Sequence, residues 1–169
     1  MPLTARAVPV ALMLAIACSH TARPAADLAP VDRPVAGDSS GLECLDSAIA
    51  PLIAQARQSL PDFLRRVSAG LPSGDRPTVT TRLVDAGGRT EQVFVTVDSA
   101  RGELIYGRLA SHVIFVRGYR VWQPVQISTD RVLDWTISRP DGTEEGNQIG
   151  KYLDQLQARL KGEPLRKPC

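Results

Sequence analysis

Few residues in this sequence could do chemistry, and they are scattered. The two histidines are His20, in a Pro- and Ala-rich stretch, and His112, inside the apolar run "HVIFV". Nucleophilic catalysis needs a Ser or Cys beside a base. A triad on His112 is conceivable, but a lone histidine in a strand more commonly serves packing. Paired carboxylates can act as acid and base, and Asp134, Asp141, Glu144 and Glu145 are the candidates. The stretch "PDGTEEGN" that holds three of them also has the composition of a solvated turn. Gly-rich phosphate loops, zinc-ligand spacings and dinucleotide fingerprints are absent from the sequence. The expectation is therefore no cofactor, no metal and no assigned catalytic residue.

Asp134 and Trp135 form the most suggestive pair. Trp is among the residues richest in interface energy, so Asp134, Trp135 and Trp122 are candidate binding residues. The opposing reading is that Trp135 packs under a helix while Asp134 caps a turn. With aromatics at 5% of the chain, a small core would recruit both tryptophans.

Cysteine chemistry points to a compartment. Ala7 to Ala17 is an apolar run preceded by Arg6. It is too short to span a bilayer, which takes roughly 20 apolar residues. It has the order of a signal peptide, with a positive n-region, an apolar h-region and small residues before a cut. The boundary Leu14-Ala15-Ile16-Ala17-Cys18 resembles a lipobox, which makes residues 1–17 the leader and Cys18 the acylated residue. Simple secretion with a cut at the Ala-x-Ala site stands beside it. Two acyl chains would anchor the protein stably. Ser19 takes the place where Asp would signal inner-membrane retention, so the expected location is the periplasmic side of the outer membrane.

Residues 18–43 hold no aromatic residue and no apolar period, and read as a disordered, semi-extended tether. Residues 44–169 are long enough for one domain with one core. That domain carries 17 Lys and Arg against 14 Asp and Glu, dispersed along the chain, so nucleic acid is not an expected partner. Cys44 and Cys169 bracket it, and an even pair in an oxidising compartment invites a disulfide. Closing so long a loop stabilises by about 4–5 kcal/mol in the chain-entropy model. A free thiol at the last residue is the alternative.

The elements that would position these groups follow from periodicity. From Ser47 to Ala69, apolar residues recur at steps of three and four (Ile49, Leu52, Ile53, Ala56, Leu60, Phe63, Leu64, Val67), tracing one helical face. Asp46 or Ser47 is the expected N-cap and Pro51 falls in the first turn. Pro61 should kink or break the helix, with Ser59 capping the second piece. From Thr78 the period turns strand-like: "TVTTRLV", "EQVFVTV", "ELIYGRLA", then "HVIFV" and "RVWQPVQI" about a Gly118 turn, then "VLDWTI". "NQIGKYLDQLQARLKG" closes as an amphipathic helix. The expected fold is α+β: an N-terminal kinked helix, an antiparallel meander sheet of five to six strands, and a C-terminal helix.

The helix "AIAPLIAQARQSLPDFL", the strand "GRTEQVFVTV" and the stretch "GYRVWQPVQISTDRVLDWTI" resemble a bacterial family described as domain of unknown function 2314. Phe94 stands where that family usually has Trp. The resemblance implies the fold and a habit of export, and it carries no catalytic residues.

Two functions follow as expectations. The first is a non-catalytic lipoprotein that binds another protein, as an inhibitor or immunity protein against an antibacterial effector. The alternative is an envelope enzyme or small-ligand binder acting on cell-wall material. A deep pocket gathering Asp134 or His112 with a second titratable group would favour the enzyme. A protruding loop with exposed apolar residues and Arg would favour the binder. Partner identity and oligomeric state are not encoded in any of these features.

Overall fold

The structure is a computed structural model that describes Pro30 and residues 39–161, with side chains from Glu43 onward. The leader, Cys18, most of the expected tether and Cys169 lie outside the described residues. Helix α1 (Ser39–Ala69) runs into strands β1 (Arg76–Val84), β2 (Thr90–Arg101), β3 (Leu104–Leu109) and β4 (Pro124–Ser128). A 3-10 turn (Thr129–Arg131) then leads to β5 (Asp134–Ser138), β6 (Glu144–Gly146) and helix α2 (Gln148–Leu160). The sheet has six strands in the order β4-β3-β2-β1-β5-β6, every pair antiparallel. This is the expected α+β arrangement.

Three details differ from the sequence reading. Helix α1 starts at Ser39, inside the stretch read as tether, so neither Asp46 nor Ser47 is an N-cap. The Ser47 hydroxyl instead donates to the Glu43 carbonyl within the helix (3.0 Å). Secondly, α1 is continuous through Pro51 and Pro61. Both prolines lie on its exposed side, where water can satisfy the carbonyls that their missing N–H groups leave unpaired. Thirdly, the strand count holds but its membership changes. "HVIFV" is not a strand, and the sixth strand is the short β6.

One face of the sheet carries the core. Because strand side chains alternate, Val79, Val93, Val95, Ile105, Leu109 and Ile137 point the same way, and all are at most 1% exposed. The C-terminal half of α1 covers them with Ala56, Leu60 and Phe63. Its N-terminal half holds α2 through a second cluster of Ile49, Leu133 and Ile149, flanked by Leu52, Ile53, Tyr152 and Leu153. The register slips between Val97 and Ser99 of β2. There β2 and β3 approach so closely that a Cβ at position 107 would collide with the Thr96 carbonyl, which is why Gly107 stands opposite. None of the described helices is long and apolar enough to cross a membrane.

Cys44, on the first turns of α1, is disulfide-bonded. Its partner falls outside the described residues, where both other cysteines of the sequence stand.

Phe63 is fully buried and its ring stacks on Trp135, centroids 4.9 Å apart at 24°. Phe63→Ala should cost about 3–5 kcal/mol through lost burial and the cavity left behind. Urea unfolding read by Trp fluorescence checks this. A loss below about 1 kcal/mol would mean that α1 does not rest on the sheet through this contact.

Candidate functional site

The strand period separates the Asp134–Trp135 pair onto opposite faces of β5. Trp135 turns to α1, 9% exposed. It stacks on Phe63 and donates its indole N–H to the Ser59 hydroxyl at 2.9 Å. Asp134 turns the other way and is 1% exposed. Its carboxylate accepts the backbone N–H of Trp135 (2.8 Å) and of Ile149 (2.7 Å), and a third N–H from Gln148. Gln148 and Ile149 open α2, whose N-cap residue, Asn147, makes no side-chain cap bond. Asp134 thus caps α2 from a neighbouring strand. Burial pushes its carboxyl above the ordinary value, against the N–H donors and the Lys151 charge. Of the two readings of this pair, the structure follows the opposing one: Trp135 packs under α1, and Asp134 is a cap, of a helix rather than of a turn.

The remaining carboxylates are also engaged. Asp141 accepts the N–H and the hydroxyl of Thr143 across the turn between β5 and β6 (2.9 and 2.7 Å). Glu144 accepts the Asn147 side-chain amide (2.6 Å). Glu145 takes a two-pronged bond from Arg66 of α1 (2.5 and 3.0 Å) and a third from Arg139 (2.7 Å). These arginines, Arg66 first, hold its carboxyl below the usual range, opposite to what a general acid near neutrality needs. His112 is exposed. Its neighbour Ser111 is buried and its hydroxyl accepts the Phe94 N–H (2.7 Å).

A different feature stands out between β3 and β4. The chain leaves β3 at Leu109 and returns at Trp122 and Gln123, which exchange backbone bonds with Leu109 (2.7 and 3.0 Å) and close the neck of a loop. Val113, Val116 and Tyr119 fold inward onto the core cluster. Ile114 and Phe115 point outward, 72% and 61% exposed. The loop is held by a carboxylate. Glu91, at the start of β2, accepts the backbone N–H of Ile114 (2.8 Å), Phe115 (2.7 Å) and Val116 (3.0 Å) in succession. Burial pushes the Glu91 carboxyl up, but these three donors outweigh it and hold it below its ordinary value. Asp85, in the β1–β2 turn, accepts the Arg117 N–H (3.2 Å) and pairs with Arg89. The Arg89 guanidinium leads in holding its carboxyl down at about 2.

Trp122 sits at the neck, 40% exposed, with φ at +68°. A bulky residue in left-handed backbone is strained, and such strain gathers at functional sites. Of the three candidate binding residues, Trp122 alone reaches solvent. Ile114 and Phe115 escaped the sequence reading because their run looks like a strand. The available signal was four consecutive apolar residues, Val113 to Val116, where a half-buried strand would alternate.

Beside the loop, Tyr119, Arg82, Val84, Val125, Gln126 and Arg131 line a shallow depression of about 320 Å³. Neither His112 nor Asp134 lines it. Arg82 pairs with Asp46 of α1. The guanidinium groups of Arg117, Arg120 and Arg131 make no ion pair or hydrogen bond among the described residues. The arrangement can seat a partner by apolar insertion and cationic contact.

The Glu91 interaction makes the loop pH-sensitive. A carboxyl held below its unfolded pKa stabilises fully above that unfolded value and loses its contribution as pH falls through the folded one. Protection of the Ile114, Phe115 and Val116 amides against hydrogen exchange should therefore drop selectively in acid. Glu91→Ala should lower it at least about ten-fold at neutral pH while leaving β1 and β2 amides protected. Equal protection of the three amides in the variant would show that the carboxylate does not hold the loop.

No protein-family model, curated protein or solved structure matches the chain.

Proposed function

We propose that the chain is a non-catalytic binding protein of the bacterial envelope, anchored by lipid at Cys18 on the periplasmic side of the outer membrane. It holds another protein, as an inhibitor or immunity protein holds an antibacterial effector. One observation carries the proposal: Ile114 and Phe115 are presented to solvent on a loop that is pinned rather than slack. Exposed large apolar residues cost solubility unless something covers them. Pinning the loop beforehand removes part of the ordering entropy that a partner would otherwise have to overcome. The neighbouring Arg117, Trp122 and Tyr119 belong to the residue types richest in interface energy. The signal-peptide pattern of residues 1–17, followed by Cys18 and a Pro- and Ala-rich stretch, supports display from a membrane surface.

The test is capture with the full-length protein as bait, run beside an Ile114→Ser/Phe115→Ser variant. Both are exposed to envelope and secreted proteins of the same bacterium and its neighbours. We expect one protein to be retained near stoichiometrically through a salt wash, with recovery at least about ten-fold lower on the variant. Equal recovery on both baits, or none on either, would remove the proposal. Mass spectrometry of the mature N-terminus tests the anchor separately, with a diacylated Cys18 expected. A mature chain beginning at Ser19 or later would leave a secreted binder.

A further inference from the structure

The apolar tip explains how a partner would be gripped, but not which partner. The depression that Tyr119 of the same loop helps to line adds that information. We propose that it receives a carboxylate side chain of the partner protein, paired to Arg131, so that the partner is acidic where it meets this face. This rests on the protein-binding reading and narrows its partner class.

Three observations lead here. The first is charge left over. Asp85 and Glu91, the carboxylates that reach the loop, turn inward onto its backbone N–H groups and onto Arg89. The loop's own residues include Arg117, Arg120 and His112 and no Asp or Glu. Arg131 makes no ion pair or side-chain hydrogen bond among the described residues, not even with Asp130, its exposed neighbour. The second is chemistry. A guanidinium is a planar fork that matches a carboxylate in two parallel bonds. Within a recess walled partly by Val84, Val125 and Tyr119, such a pair is less screened than on open surface. The third is shape. A bilayer is flat and would meet Ile114 and Phe115 while leaving the recess unfilled; a protein can send a side chain into it. The recess, about 320 Å³, lies at the small end of ligand pockets and suits a side chain better than a large cofactor.

Arg131 is a clean place to test this, because its structural role is carried by its backbone carbonyl, which accepts the Thr81 hydroxyl (2.9 Å). The probe is a random peptide library displayed on phage, selected on the full-length protein. Arg131→Gln is compared with Ile114→Ser/Phe115→Ser and with Arg159→Gln on α2 as a distant charge control. We expect enriched peptides to carry Asp or Glu beside an apolar residue. Affinity of the synthetic peptide should fall at least about ten-fold on Arg131→Gln, or when its acid is replaced by the amide, and stay unchanged on Arg159→Gln. Peptides without acid enrichment, or acidic peptides that bind Arg131→Gln as well as the parent, would overturn the carboxylate site. If the tip variant alone lost those peptides, the protein-binding reading would survive that loss. Binding indifferent to both variants would overturn the interface itself. A parallel arm uses vesicles of phosphatidylglycerol and phosphatidylcholine with a Cys18→Ser chain. Tip-dependent vesicle binding without any enriched peptide would replace the acidic protein by a lipid surface.

Discussion

A carboxylate removed from water must be supplied with hydrogen-bond donors, and in this protein that requirement joins the elements. Asp134 is buried on β5, and the donors available to it are the first N–H groups of α2. Those groups are the ones a helix cannot satisfy internally, so one contact serves two needs. Leaving the donors unmet would cost about 1–3 kcal/mol. The next residue, Trp135, points the opposite way and rests on Phe63 and Ser59 of α1. Two adjacent residues therefore tie the sheet to both helices. Glu145 adds a third tie, bridging Arg66 of α1 and Arg139 at the end of β5.

The same chemistry used elsewhere yields a different result. Glu91 also offers a carboxylate to consecutive backbone N–H groups, but those groups belong to a loop. In a strand, the N–H groups of Ile114 to Val116 would bond a neighbouring strand's carbonyls and the side chains would alternate in and out. Bound to one carboxylate, the backbone turns around it. Val116 is sent into the core, and Ile114 with Phe115 into solvent. A single acidic side chain thus holds three consecutive N–H groups of a strand-like sequence whose apolar tip is displayed, and that tip is the basis of the binding function proposed here.

Pinning also bears on specificity. A slack apolar loop can fold back on its own surface or adapt to many partners. A loop closed at its neck by Leu109, anchored by Val116 and held by Glu91 presents one shape. The positive φ at Trp122 fits this pattern, since strain of that kind persists only where the surroundings over-determine the backbone.

Local pattern was enough for the α+β class, the helix faces and the strands β1, β2, β3 and β5, because burial on one side imposes its period on the residues themselves. The turns at Gly88 and Gly102 sit at positive φ, which glycine adopts without strain. The roles of Asp134 and Trp135 were left open, since a polar–aromatic pair has the same sequence whether it caps a helix or faces a partner. Of the kink or break expected at Pro61, the break does not occur: the helix runs on, with the proline on its exposed side. At Ile114 and Phe115 the run of four apolar residues hinted at something other than a half-buried strand, but the contact that shapes the loop was hidden, because Glu91 lies more than twenty residues away in sequence. Sequence alone determined which segments are amphipathic. Tertiary structure alone decided which buried carboxylate meets which N–H groups, because hydrogen bonds between distant segments depend on where folding brings the chain and leave no local period behind.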